Sequence, residues 1–119
     1  MSRGRIAIVG VVLVAFVIVV GVLVFANQPH GGAKVTINLT VTGAKSMTPD
    51  NPRAHQNDIV TINVKSDTSG EVHLHGYDLA FNTVAGQTVS NTFTADKTGS
   101  FEIEWEDTST PLGTFTVTP

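Results

Sequence analysis

The sequence predicts an all-β sandwich joined to one hydrophobic helix at its N-terminus. Three observations carry this reading. Ile6 to Ala26 contains no charged and no polar side chain. From Val35 onward, apolar residues recur at every second position in short runs, the period of strands with one buried face. Turn-forming residues separate these runs every eight to twelve positions, and no window after Ala26 shows helical periodicity.

The helix comes first. At 1.5 Å rise per residue, positions 6–26 span about 31 Å, the thickness of a bilayer's hydrocarbon core. Soluble helices rarely stay apolar on every face for so long. Arg3 and Arg5 precede the segment and only Lys34 follows closely. The positive-inside rule therefore predicts a single-pass protein of the cell membrane. Residues 1–5 stay in the cytoplasm, 6–26 contact the lipid bilayer, and the rest lies outside, periplasmic or extracellular. The stretch exceeds the 7–15 residues of a signal-peptide core, which favours an uncleaved signal anchor. Val24-Phe25-Ala26 still offers small residues for a cut before Asn27. No cysteine follows, so lipoprotein processing is excluded.

Residues 27–34, with Pro29, Gly31 and Gly32, read as a linker. The domain over 35–119 opens with Val35, Ile37, Leu39 and Val41 alternating with polar residues. Gly43 to Pro52 reads as a loop, since Pro49 and Pro52 oppose regular pairing. Arg53 to His55 forms a short strand, Gln56-Asn57-Asp58 a turn, and Val60, Ile62 and Val64 the buried face of the next strand. Ser66 to Gly70 turns into Glu71-Val72-His73-Leu74-His75, which Gly76 ends. Tyr77 to Ala85 is extended but irregular, and Val89 and Phe93 share one face of the strand over 88–94. After the turn at Asp96 to Gly99, Phe101, Ile103 and Trp105 alternate with Glu102, Glu104 and Glu106. Pro111 and Gly113 are expected to break that strand before Phe115 and Val117 close the domain.

From Asn27 onward five Lys or Arg face all ten Asp and Glu, a formal charge of 5 − 10 = −5. An acidic domain without a basic patch repels phosphate backbones, which excludes nucleic-acid partners. Zero cysteines exclude disulfides and thiolate chemistry. No GxSxG elbow and no phosphate-binding glycine loop is present, and no catalytic residues are expected. The chain is read as a non-enzyme.

His73-Leu74-His75 is the stretch with chemical content. Positions i and i+2 of a strand point to the same side, so both imidazoles project together. Such a pair is a partial site for Cu(II) or Zn(II). A metal needs three or four ligands. His55 is a weaker third candidate, with Met47, Asp78, Glu106 and Asp107 behind it. Glu102, Glu104 and Glu106 are expected to form a solvated outer face.

With these residues in place, the exported domain resembles the cupredoxin-like family of small Greek-key β-sandwiches, which includes copper carriers. Gln56-Asn57-Asp58-Ile59-Val60-Thr61-Ile62 is similar to the family's turn ending in Asp ahead of an apolar strand. His75-Gly76-Tyr77 stands where many members place their first copper-ligating histidine. Gly99-Ser100-Phe101 through Gly113-Thr114-Phe115-Thr116-Val117 resembles the final ligand hairpin. The departures decide more. Counted from Gly99, Trp105 takes the place of the copper-binding Cys and Leu112 that of the Met, with no His between them. Type 1 copper is therefore excluded, because its thiolate is missing, and Trp105 is expected to fill the core.

Two functional readings follow. The first is a membrane-anchored extracytoplasmic binding or interaction domain with a protein partner and no type 1 copper. The second is a module that binds or handles a metal ion, copper as Cu(II) or else Zn(II), through His73 and His75.

Overall fold

The computed structural model describes residues 32–119, and the helix expected over 6–26 lies outside them. Among the described residues, no helix is long and apolar enough to cross a membrane. In the described residues nine strands form two packed sheets: β1 (Lys34–Thr42), β2 (Ser46–Thr48), β3 (Arg53–His55), β4 (Ile59–Ser66), β5 (Gly70–Leu74), β6 (Leu79–Thr83), β7 (Thr88–Thr94), β8 (Gly99–Trp105) and β9 (Thr110–Thr118). One sheet has the order β2-β1-β4-β7, the other β3-β9-β8-β5-β6. β1 runs parallel to β4 and β3 parallel to β9, while the remaining neighbours are antiparallel. The described part is thus a mixed two-sheet sandwich.

The period-two pattern explains the core. Ile37, Leu39 and Val41 of β1 and Val60, Ile62 and Val64 of β4 turn inward from the first sheet. Val72, Leu74, Phe81, Ile103, Trp105, Phe115 and Val117 meet them from the second. Burying each large side chain contributes about 1.5–3 kcal/mol, so the two inner faces supply most of what holds the sheets together. At one end Tyr77 packs its ring against Phe93 and Phe101, with centroids 5.0 and 4.9 Å apart. Tyr77 donates its hydroxyl proton to the Lys97 carbonyl oxygen at 2.6 Å, which satisfies the polar tip of that ring.

The turn at Gln56-Asn57-Asp58 is held by the Asp58 carboxylate, only 2% exposed. Its Oδ2 accepts the His55 backbone N–H at 2.8 Å and its Oδ1 accepts that of Ala33 at 3.3 Å. One side chain therefore closes the turn and fastens the start of β1 to it.

Two expectations are corrected. The stretch read as a loop before Pro52 contains β2, whose Ser46–Thr48 pairs with Thr40–Thr42 and turns Met47 into the core. Pro111 and Gly113 do not break the last strand. Glu104 pairs with Pro111 and Ile103 with Gly113, so Leu112 is an extra residue in a bulge of β9 and is buried. A bulge tolerates proline because the local ladder is already interrupted.

Candidate metal centre

β5 is short, and His75 lies one residue past its end. The ladder nevertheless continues, because His75 donates its backbone N–H to the Glu102 carbonyl oxygen of β8 at 2.9 Å. Gly76 then turns the chain with φ +84, where a Cβ would stand 2.2 Å from the Phe101 ring. Glycine is required there by conformation and by space alike. Val72 faces Trp105, His73 faces Glu104 and Leu74 faces Ile103 across the β5–β8 pair. Because Val72, Leu74, Ile103 and Trp105 point inward, Glu71, His73 and His75 share the outer face with Glu102, Glu104 and Glu106.

The imidazoles of His73 and His75 are 4.6 Å apart between centroids, tilted by 46°. His73 Nδ1 lies 3.2 Å from Glu71 Oε2, and its Nε2 lies 3.4 Å from Asp78 Oδ1. His75 Nε2 lies 2.8 Å from Glu104 Oε1 and 3.7 Å from Glu102 Oε1. The hydrogen bond to Glu104 raises the His75 pKa above its ordinary value of 6.5, with the charges of Glu104, Glu102 and Glu106 adding to it against partial desolvation. Glu104 is not the solvated residue that alternation suggested, since its side chain is only 15% exposed beside the His75 ring.

Of the sequence-derived candidates, His73 and His75 come together, with Asp78 and Glu106 at their margin. His55 does not join them. It sits on β3, three strand positions from β5, about 14 Å across the sheet. Met47 is in the core, and Asp107 accepts the Glu71 backbone N–H at 2.9 Å, closing the β5–β8 end. Glu71, Glu102 and Glu104 were not among the metal candidates. Their signal was present in the alternation of each strand, but only the β5–β8 register puts the two acidic rows beside the histidines.

Comparison with solved structures finds the fold of this sandwich in several copper proteins. A copper-binding protein solved by NMR in the apo form matches 76% of this chain and 92% of its own at 17% identity and a TM-score of 0.60. The fold is cupredoxin-like. The metal-binding domain of the Streptococcus pneumoniae D39 Cu(I)-exporting P-type ATPase CopA, with Cu(I), matches 74% of this chain and 98% of its own at 13% identity and TM-score 0.59. Auracyanin from Roseiflexus castenholzii matches 74% of this chain and all of its own at 15% identity and TM-score 0.58. No family model and no curated protein matches the chain.

The residues present do not fit type 1 copper. Trp105, which the sequence count sets against the cysteine, is buried on the inner face, its indole covering Gly70, while His75 is on the outer face of the same sheet. Leu112 is buried in the bulge and carries no donor. The donors on the outer face are imidazole nitrogens and carboxylate oxygens, a set suited to Cu(II), Zn(II) or Ni(II).

Proposed function

We propose that this chain is a membrane-tethered, extracytoplasmic cupredoxin-like domain that binds divalent metal ions on the outer face of its second sheet. The carrying observation is that His73 and His75 project side by side into the carboxylates of Glu71, Glu102, Glu104 and Glu106. Neutral imidazole with carboxylate favours Cu(II) over Zn(II) by the usual affinity order. The copper-binding proteins that share the fold support copper as the physiological ion. The acidic domain attracts cations, and the apolar stretch 6–26 would keep it at the membrane surface, where a bound ion can be handed to a neighbour.

Titration of the full chain with Cu(II) or Zn(II) tests the metal reading. Uptake at micromolar metal, lost in the His73→Ala/His75→Ala double variant, is the expected result. Absence of uptake by the wild type rejects it and leaves the protein-interaction reading. The tether is tested separately by membrane fractionation and N-terminal sequencing. A mature chain beginning at Asn27 would exclude the anchor.

A further inference from the structure

We propose that this face binds two divalent ions side by side, one on each histidine, and does not chelate one ion between the two imidazoles. The inference rests on the metal-binding reading above and specifies its stoichiometry.

The donors divide into two sets of equal composition. Glu71, His73 and Glu106 bring one ligand atom each to within 4.8 Å of one another, and so do His75, Glu102 and Glu104. Each set has one imidazole and two carboxylates. Protein ligands lie about 2.0–2.2 Å from Zn(II), so donors around one ion are at most about 4.4 Å apart. Small side-chain rotations bring either set into that range. Three protein ligands leave room for water or for a donor from another molecule.

The division follows from the central pair across β5 and β8. His73 and Glu104 are direct partners there, yet they lean apart. His73 turns one ring nitrogen to Glu71 and the other toward Asp78, while Glu104 accepts from His75. Each set keeps a histidine beside the carboxylate it already pairs with, His73 with Glu71 and His75 with Glu104.

Charge balance points the same way. Glu71, Asp78, Glu102, Glu104 and Glu106 place five carboxylates on this patch. Among the described residues the ion pairs of Glu71, Asp78, Glu102 and Glu104 are with His73 or His75 and with no Lys or Arg. With neutral imidazoles the patch carries a formal −5. One divalent ion leaves −3, and two leave −1. Crowded like charges in a partly covered patch favour the second ion.

Native mass spectrometry and Cu(II) EPR of the full chain test this. Two equivalents should bind. The second should introduce the dipolar broadening of two Cu(II) ions held on neighbouring imidazoles, whose centroids are 4.6 Å apart. His73→Ala and His75→Ala should each bind one equivalent and show an uncoupled Cu(II) spectrum. Glu102→Gln/Glu104→Gln should remove the second site alone. Saturation at one equivalent, abolished by either histidine substitution, overturns the proposal in favour of a shared chelate and leaves the metal-binding reading intact. Two equivalents retained by the double histidine variant overturn it as binding to carboxylates only. No uptake by the wild type rejects both readings. The wild-type stoichiometry decides between one ion and two even if a variant fails to fold.

Discussion

Replacing Gly70 with Ala sets a methyl group into the indole of Trp105. A Cβ at Gly70 would lie 2.2 Å from Cζ2, 2.9 Å from Cη2 and 3.0 Å from Cε2 of that ring, whereas ordinary contact begins near 3.4 Å. The ring must therefore retreat by at least 3.4 − 2.2 = 1.2 Å. It has nowhere to go, because Trp105 is only 3% exposed and belongs to the packed core. Overpacking of this kind costs about 1–3 kcal/mol. For a domain of this size each kcal/mol lowers the melting temperature by about 4–8 °C, so a fall of roughly 5–20 °C is expected. Thermal unfolding should be followed by far-UV circular dichroism and by fluorescence, which reports this contact alone because Trp105 is the single tryptophan. The folded variant should show a red-shifted emission. Gly70→Ala/Trp105→Phe should lose less stability than the two single changes add up to, since a smaller ring vacates the space. A Gly70→Ala protein that melts within about a degree of the wild type with unchanged emission would refute the packing argument.

Three more outcomes are expected. Asp58→Ala leaves the His55 and Ala33 backbone N–H groups without their acceptor in a covered turn, at a cost of about 1–3 kcal/mol; an unchanged urea midpoint would count against that role. In metal-free protein the His75 ring should titrate above pH 6.5 by NMR and move back toward that value in Glu104→Gln. A folded-state pKa that is raised means the His75–Glu104 contact stabilises fully below pH 6.5 and fades as pH rises through the folded value, so an identical titration in both proteins would contradict it. The Gly43 backbone N–H bonds Asp67 Oδ1 at 2.9 Å and lowers the Asp67 pKa from 3.8. That bond should support the fold above pH 3.8 and be lost as pH falls through the lowered value, which Asp67→Ala should abolish; equal acid-unfolding profiles would disprove it.

Much of the sandwich was legible because side-chain alternation is a local property. Val60, Ile62 and Val64, or Ile103 and Trp105, announce a buried face without reference to any other strand. What alternation misses is pairing. β2 is three residues long and is a strand only because β1 lies beside it, and Pro111 is accommodated only because the bulge at Leu112 absorbs the mismatch. Such features arise between segments distant in sequence, where no window can detect them.

The histidine pair and the absent thiolate were determined by the sequence alone. The i, i+2 spacing puts His73 and His75 on one side of any strand, and a chain without cysteine cannot build type 1 copper in any fold. The company those histidines keep was decided by the tertiary structure. Glu102 and Glu104, which read as part of a solvated row, became metal-binding candidates once β8 lay antiparallel to β5 with His73 opposite Glu104. His55, equally suitable as a residue type, was carried to the far side of the same sheet. Strand order and register set these distances, and both are fixed by how two inner faces pack, which no single segment encodes.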